Sequence, residues 1–566
     1  MISNFFKIIF TLLIFFLSTE VNSKTIKNSS FNASELSNFF SGVIADKNQE
    51  NKRALKFLKS AKGVSNKYDQ YSKKYVISLV LNQNLDRAIQ EVKFLRDKKK
   101  NDFFEAQLLL LLDSIKKQNF KKTDLYLKKI SKFKDYGMFE QVIYESLRDY
   151  IFVFKNKNYS EYKSNFGNLS LINKAFFSCY LDDKNTIAYF ENLNNSQSAD
   201  YSRYIFFYTG YLLKKNKTSM AKNLLSQKDD LNSSLIVLQS KSWIDQKKIQ
   251  NFEEFFSCKN ELDLLAEFFF LISNLYSSEG YFKKSNFYLN ISHYLNDKFK
   301  FNLTLMAENF YSIGNFKETK NILSNFSEQD ELYYWYKIKK ISNIISKEDS
   351  DDLALDYIEK KFKKIKNPQL KIVYDTANIY KNFKKYEKAI ELYSKLMENI
   401  NKKSDTFADL LYKRGGCYER LGYYKKADKD LLDALNIIPD NSYVLNYLAY
   451  SWLERGYNIN NAILMLEKAY SQNENDPYII DSVGWGYYLI GKFDDAEKLM
   501  KRALEQMPND PIVNDHYGDI LWSLNKKIQA LYFWKNALKS EEADKEMKKK
   551  IKAKLLLGLE KKNESL

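Results

Sequence analysis

The fold is decided by residues 477–510, which read PYIIDSVGWGYYLIGKFDDAEKLMKRALEQMPND. Counted from Pro477, a glycine stands at the eighth place, an alanine at the twentieth and a proline at the thirty-second. The two small residues allow a pair of antiparallel helices to pack closely. The proline ends the second helix, because its ring cannot continue one. The stretch therefore predicts a helical hairpin, with Gly491 in the turn that ends the first helix.

The same frame recurs along most of the chain at a nearly constant interval. Residues 408–441 and 511–544 carry it again. The equivalents of the twentieth place are spaced by 34, 35, 35, 38, 35, 34 and 34 residues, and they are Ser285, Thr319, Ala354, Ala389, Ala427, Ala462, Ala496 and Ala530. Near the N-terminus, Ala54, Ala88 and Thr123 continue the series. A period held over so many units predicts an array whose stacked neighbours bury a continuous core.

These residues resemble the tetratricopeptide repeat, a helix-turn-helix unit of 34 residues. The resemblance implies an all-α fold, an α-solenoid in which successive hairpins stack into a superhelix. Residues 443–456, YVLNYLAYSWLERG, residues 510–522, DPIVNDHYGDILW, and residues 37–61 are similar to a family of exported repeat proteins from Gram-negative bacteria. That similarity implies a non-catalytic scaffold of the cell envelope.

The N-terminus has the pattern of a secretory signal. Lys7 precedes the apolar run of residues 8–17, and Val21 and Ser23 suit the positions before a cleavage site. The run is shorter than the roughly 20 residues that span a bilayer as a helix. We therefore predict cleavage after Ser23 and export to the periplasm. A membrane tether formed by an uncleaved N-terminal segment is the alternative.

The repeat pattern is clear in some stretches of the sequence and weak in others, and these changes suggest the domain boundaries. We predict a signal peptide at 1–23, N-terminal repeats at 35–138, degenerate helical repeats at 139–265, further repeats at 266–369, regular repeats at 370–544 and a C-terminal capping helix or tail at 545–566. A small inserted helical domain is the alternative for 139–265. The tail is basic at 548–554 and apolar at 555–557, which leaves peripheral membrane association open.

The composition argues against several kinds of site. The net charge is +18, but only nine of the 89 basic residues are arginines, and they are scattered. Arginine is the residue that makes bidentate contacts with phosphate and guanine, so we predict dispersed surface charge and no nucleic-acid partner.

The two histidines, His293 and His516, lie far apart. We therefore predict no enzymatic activity, no metal or cofactor, and no small-molecule substrate. The three cysteines allow at most one internal disulfide, and no spacing places two of them together.

The resemblance implies that the first helix of each repeat lines a concave groove. Its inward-facing places give a predicted partner-binding set of Tyr374, Asn378, Tyr412, Asn446, Tyr450, Asp481, Trp485, Tyr488, Asp515 and Asp519. Aromatic side chains beside amides and carboxylates suit an extended or helical peptide. We therefore predict that the groove binds a protein or peptide of the cell envelope. The rival is an envelope glycan stacked on the aromatics. In related proteins a clamp of Lys, Asn and Arg holds the terminal carboxylate of a peptide. Its places hold Tyr412, Gly416, Tyr447, Tyr478 and Ser482 when the first unit starts at 408, and Tyr374, Asn378, Lys413, Tyr443 and Tyr447 when it starts at 370. We therefore predict that this clamp is absent.

Overall fold

A computed structural model describes residues 32–559, except 67, 69, 98–99, 161–164 and 196–200. The predicted signal peptide, 1–23, lies outside the described residues. Within them the chain forms helices and no strand, so the predicted all-α repeat fold is confirmed. No helix in this part of the chain is long and apolar enough to cross a membrane. The chain divides into an N-terminal unit, residues 1–227 and 234–328, and a C-terminal unit, residues 228–233 and 329–566.

The described part of the N-terminal unit contains seventeen α-helices, most of them paired as hairpins. They are α1 (Ala33–Lys47), α2 (Asn51–Lys59), α3 (Gln70–Leu81), α4 (Leu85–Asp97), α5 (Phe104–Lys116), α6 (Phe120–Ile130), α7 (Met138–Asn156), α8 (Asn168–Leu181), α9 (Thr186–Asn194), α10 (Ser202–Lys214), α11 (Thr218–Ser226), α12 (Leu235–Asp245), α13 (Gln250–Phe255), α14 (Glu261–Ser278), α15 (Phe282–Leu295), α16 (Leu303–Ser312) and α17 (Phe316–Leu323). Short 3-10 turns lie at Lys62–Asn66, Ser131–Tyr136 and Lys300–Asn302.

The C-terminal unit continues the series with six regular hairpins and a last helix. These are α18 (Glu331–Glu348), α19 (Asp351–Phe362), α20 (Leu370–Asn382), α21 (Tyr386–Met397), α22 (Asp405–Arg420), α23 (Tyr424–Ile437), α24 (Ser442–Glu454), α25 (Ile459–Gln472), α26 (Pro477–Leu489), α27 (Phe493–Gln506), α28 (Pro511–Ser523), α29 (Lys527–Lys539) and α30 (Lys545–Leu557).

The local sequence explains where the regular hairpins begin, turn and pack. The carboxylate of Asp476 accepts hydrogen bonds from two backbone amides of the first turn of α26, and Pro477 occupies a position that needs no amide donor. Gly491 adopts a φ of 81° in the turn after α26, a conformation that glycine takes without strain. Ala496 is fully buried where α27 meets α26. The small residues of the repeat frame therefore mark the close helix contacts.

Residues 139–265 are also helical, although the repeat frame is hard to read there. Helices α8 to α13 follow one another as short hairpins, and this stretch, apart from residues 228–233, clusters with the rest of the N-terminal unit. Its interior is filled by aromatic rings such as Phe176, Phe206 and Phe207 rather than by small residues. Large side chains at the helix contacts remove the Gly and Ala spacing on which the frame depends. The domain boundaries given above stay predictions.

Two of the three cysteines lie together, which corrects the sequence interpretation. Cys179, near the end of α8, forms a disulfide with Cys258, in the segment before α14, across a sequence separation of 79 residues. Lys259, the next residue, donates a hydrogen bond from its ammonium group to the carbonyl of Tyr180. The packing of α8 against this segment brings the two thiols together, and no local spacing in the sequence encodes that packing.

Candidate functional site

The ten predicted groove residues all lie in the C-terminal unit, on the first helices of five successive hairpins. These helices are α20, α22, α24, α26 and α28. Because the helices are equivalent in the repeat, their side chains form a row, which we call the first-helix surface. The structure divides the predicted residues along this row into those engaged in internal contacts and those that remain partly open.

Tyr374 and Asn378, on α20, are tied to neighbouring helices. Tyr374 is buried, and its hydroxyl donates a hydrogen bond of 2.8 Å to Asp409 Oδ2 on α22. Burial, followed by the charge of Asp409, raises the pKa of Tyr374. Asn378 Oδ1 accepts a hydrogen bond of 2.8 Å from the hydroxyl of Tyr393. Both side chains hold hairpins together, and their role as partner contacts stays a prediction.

Tyr412, on α22, borders a cavity with a basic lining. Its half-buried ring meets Tyr447 edge-on, with ring centroids 5.7 Å apart. The cavity has a volume of about 200 Å³ and is lined by Lys381, Tyr386, Tyr412, Lys413, Gly416, Arg420 and Tyr447. We call it the basic pocket. Sequence reasoning included Tyr412 but missed Lys413 and Tyr447, which stand one place beyond the position counted as inward-facing.

Asn446 and Tyr450, on α24, are partly buried in the middle of the row. The Oδ1 atom of Asn446 is buried and has no hydrogen-bond partner in the described part of the chain. A buried acceptor without a donor costs about 1–3 kcal/mol, and this oxygen is enclosed by the chain itself. Burial, followed by the charge of Glu454, raises the pKa of Tyr450, which stays a neutral phenol.

Trp485, on α26, is the centre of a stacked cluster. The imidazole of His516 lies against its indole, with ring centroids 4.0 Å apart and planes 13° from parallel. Tyr488 stacks against the same indole at 4.8 Å. Trp485 Nε1 donates a hydrogen bond of 2.8 Å to Glu454 Oε1 on α24. The indole is therefore fixed in orientation by partners on two neighbouring hairpins.

His516 also forms a buried pair with a predicted groove residue. Its Nδ1 lies 2.9 Å from Oδ1 of Asp481, and both residues are buried. Burial lowers the pKa of His516, but the negative charge of Asp481 and the hydrogen bond between them outweigh it, so the pKa is raised. The pair stabilises the contact between α26 and α28, and the sequence singled out His516 without identifying its partner.

Asp515 and Asp519, on α28, are paired with the last helix. The ammonium of Lys554, on α30, lies 2.8 Å from an oxygen of each carboxylate. Asp519 also accepts a hydrogen bond of 2.9 Å from Trp534 Nε1. Burial, only partly offset by Lys554, raises the pKa of Asp519. Both carboxylates are thus engaged by the same lysine of the chain, and partner binding by these two residues stays a prediction.

A second line of side chains runs along the edge of the first-helix surface. Tyr443, Tyr478 and Ile512 occupy the second place of three successive repeats and are 57%, 65% and 47% exposed. Large apolar side chains repeated at one exposed place form a continuous edge rather than isolated surface residues. None of these three residues belongs to the predicted partner-binding set.

The side chains of the first-helix surface are suited to binding a partner. In the described residues, no group of three His, Cys, Asp or Glu side chains is placed to hold a metal ion. Burial raises the pKa of the Cys417 thiol to about 11, which makes it a poor nucleophile at neutral pH. The surface presents aromatic rings and a basic pocket. The expectations of no enzymatic activity and no cofactor stay predictions.

Comparisons with known proteins agree with the repeat architecture. Residues 408–441 match the sequence model of the tetratricopeptide repeat. A stretch of 94 residues is 35% identical to the TPR repeat-containing protein PA4667 of Pseudomonas aeruginosa, and it covers 17% of this chain and 16% of that protein. The chain thus matches about a sixth of that relative's length.

Two solved structures are similar to parts of the chain. One is a tetratricopeptide repeat protein from Parabacteroides merdae, 19% identical, with 46% of this chain and 99% of that chain covered and a TM-score of 0.37. The other is TTC0263, a thermophilic TPR protein of Thermus thermophilus, 19% identical, with 33% and 100% covered and a TM-score of 0.29. Global similarity at this level says nothing about function.

Proposed function

Because the chain is a tetratricopeptide-repeat protein, we propose that it is a non-catalytic scaffold that holds a protein or peptide partner in the bacterial cell envelope. Repeat proteins of this kind act generally as protein-interaction scaffolds. The proposed binding face is the first-helix surface of the C-terminal unit. Its regular hairpins hold the contacting side chains in fixed positions, so little entropy is lost when a partner binds.

The observation that carries the proposal is the line of partly exposed aromatic side chains on successive first helices. Tyr412, Tyr450, Trp485 and Tyr488 are neither fully buried nor isolated. Large aromatics are the commonest anchors in protein interfaces, because they bury a large area at a low cost in side-chain entropy.

Two observations support an envelope location. The N-terminal residues have the pattern of a signal peptide, and the described chain contains the Cys179–Cys258 disulfide. Disulfides persist in oxidising compartments such as the bacterial periplasm and are rare in the cytosol. We therefore retain export to the periplasm as part of the proposal. Cell fractionation tests the alternative of peripheral membrane association through the tail, since a membrane-associated protein would be found with the membrane fraction.

A pair of substitutions on the first-helix surface tests the binding face. Trp485→Ala with Tyr450→Ala should weaken capture of an envelope partner about thirtyfold or more, since one aromatic anchor is worth about 2 kcal/mol or more. The matched control is Lys468→Glu with Lys498→Glu, which alters two exposed side chains on the second helices α25 and α27. The helical circular-dichroism signal should be the same in both proteins.

The result that contradicts the proposal is loss of capture in the control with full capture by the aromatic variant. Binding would then use the second helices. The glycan alternative has its own readout, because soluble envelope glycan would quench the fluorescence of Trp485. The proposed function predicts no such quenching.

A further inference from the structure

The basic pocket contains more positive charge than its surroundings neutralise. Its lining includes Lys381, Lys413 and Arg420 and no acidic side chain. Two carboxylates approach from outside the lining. Asp409 lies 3.1 Å from the ammonium of Lys413, and Glu419 lies 3.6 Å from Nε of Arg420. Two of the three cations therefore have partners.

Lys381 is the cation that remains uncompensated. It makes no ion pair with any of the residues that the structure describes, although it is partly buried. Burial, followed by repulsion from the charge of Lys413, lowers its pKa. An anion bound between the ammonium groups of Lys381 and Lys413 would offset both the cost of burying the Lys381 charge and the repulsion between the two lysines, because it would supply the missing negative charge.

We infer that the basic pocket binds a carboxylate of an acidic peptide segment, and that it gives the first-helix surface its preference for acidic partners. The inference rests on the proposed function, since the pocket opens on the same surface. The single uncompensated charge matches a monoanionic carboxylate better than a doubly charged phosphate. Lys381 and Arg420 stand at places that the peptide-terminus clamp does not use, and Lys413 stands where the clamp has an asparagine when its first unit is taken to start at 370.

The predicted acidic residues of the first-helix surface are paired within the chain, so the basic pocket is the main electrostatic feature of that surface. Asp515 and Asp519 share an ion pair with Lys554, and Asp481 is paired with His516. A partner therefore meets paired acids at the α26–α28 end and unpaired positive charge at the α20–α22 end. The hydroxyl groups of Tyr386 and Tyr412 in the lining can donate hydrogen bonds to a carboxylate, whereas that of Tyr447 already donates to Glu419. Charge-assisted bonds of this kind are the stronger ones.

Binding of short peptides to the full chain tests the inference. The probes are dye-labelled hexaglutamate and hexaglutamine, both with amidated C-termini, followed by fluorescence anisotropy. Hexaglutamate should bind at least tenfold more tightly than hexaglutamine, and Lys381→Gln should remove most of that difference. The matched control is Lys425→Gln, an exposed lysine on the second helix α23, which should leave the difference unchanged.

A second variant blocks the pocket without changing its charge. A Cβ added at Gly416 would lie 3.5 Å from the hydroxyl oxygen of Tyr447, an ordinary contact distance. Gly416→Leu should therefore be tolerated by the helix while its side chain fills the cavity. It should weaken hexaglutamate binding as strongly as Lys381→Gln does.

Several outcomes would decide against the inference. Equal binding of hexaglutamate and hexaglutamine would overturn it, and so would equal effects of Lys381→Gln and Lys425→Gln. Displacement of hexaglutamate by inorganic phosphate at concentrations where acetate has no effect would assign the pocket to phosphate instead. Lys381-dependent binding of hexaglutamine with a free C-terminus, at least as tight as that of amidated hexaglutamate, would decide against an acidic segment and assign the pocket to the terminal carboxylate of a peptide.

The inference and the proposed function can fail separately. If Trp485→Ala with Tyr450→Ala does not impair partner capture, the proposed binding face fails, whereas Lys381-dependent binding of hexaglutamate would still stand. If capture depends on those aromatics but the peptides show no preference for acid, only the carboxylate assignment fails.

Discussion

Gly518→Ala tests how closely the helices of a regular hairpin approach each other. A Cβ at this position of α28 would lie 2.4 Å from both Cδ1 and Nε1 of Trp534 on α29. The indole of Trp534 is fully buried, packs near Ile551 of α30, and donates its Nε1 hydrogen bond to Asp519. It cannot turn away into solvent, so the added methyl group must displace it.

The magnitude follows from three effects. Overpacking a well-filled core costs about 1–3 kcal/mol. Displacement of the indole weakens a hydrogen bond to a carboxylate that is worth about 1.5–3 kcal/mol. Alanine regains about 1 kcal/mol over glycine in the interior of a helix. We expect a net loss of about 2–4 kcal/mol in the free energy of unfolding of the C-terminal unit, which lowers its thermal midpoint by about 5–10 °C.

The same substitution at Gly416 is the control for Gly518→Ala. The new Cβ of Gly416→Ala would lie 3.5 Å from the hydroxyl oxygen of Tyr447, so only the gain in helix propensity applies. Thermal unfolding by circular dichroism, with tryptophan fluorescence as a local probe, compares the two variants. A Gly518→Ala protein as stable as Gly416→Ala would refute the close contact between Gly518 and Trp534.

Three further predictions concern the disulfide, the buried histidine and export. The loop of 79 residues closed by Cys179 and Cys258 implies a contribution of about 4–5 kcal/mol in the chain-entropy model. Reduction should lower the thermal midpoint of the wild type and leave that of Cys179→Ser unchanged. The raised pKa of His516 means that the pair with Asp481 stabilises the fold fully below the unfolded pKa of about 6.5, and that this stability is lost as pH rises through the folded pKa. The thermal midpoint should fall across neutral pH in the wild type and change less in Asp481→Asn. N-terminal sequencing of the mature protein should begin at Lys24, and a sequence beginning at the initiating residue would contradict cleavage.

The helical hairpins of the C-terminal unit were predictable because their determinants are local. Ala427 and Ala496 are buried at the helix contacts, and Gly422 and Gly491 have positive φ in the turns, as the repeat spacing requires. Each of these roles depends on neighbours within one repeat. A period in the sequence is sufficient to identify them.

The partners of the polar groups were not predictable in the same way. Lys554 reaches Asp515 across 39 residues, and Cys179 reaches Cys258 across 79. Such contacts depend on the path of the whole superhelix and on side-chain rotamers, neither of which the phase of a repeat specifies. The basic pocket was missed for the same reason, since Lys381 and Lys413 belong to different repeats and meet only when the hairpins stack.

Site-specific photo-crosslinking tests most directly whether the first-helix surface holds the partner. Benzoylphenylalanine is placed at Tyr488, partly exposed on α26, or at Leu464, which is 62% exposed on the second helix α25. After irradiation of intact cells, we expect a discrete protein adduct from position 488 that disappears when Trp485→Ala and Tyr450→Ala are added, and none from position 464. An adduct from position 464 with none from position 488 would contradict binding on the first-helix surface.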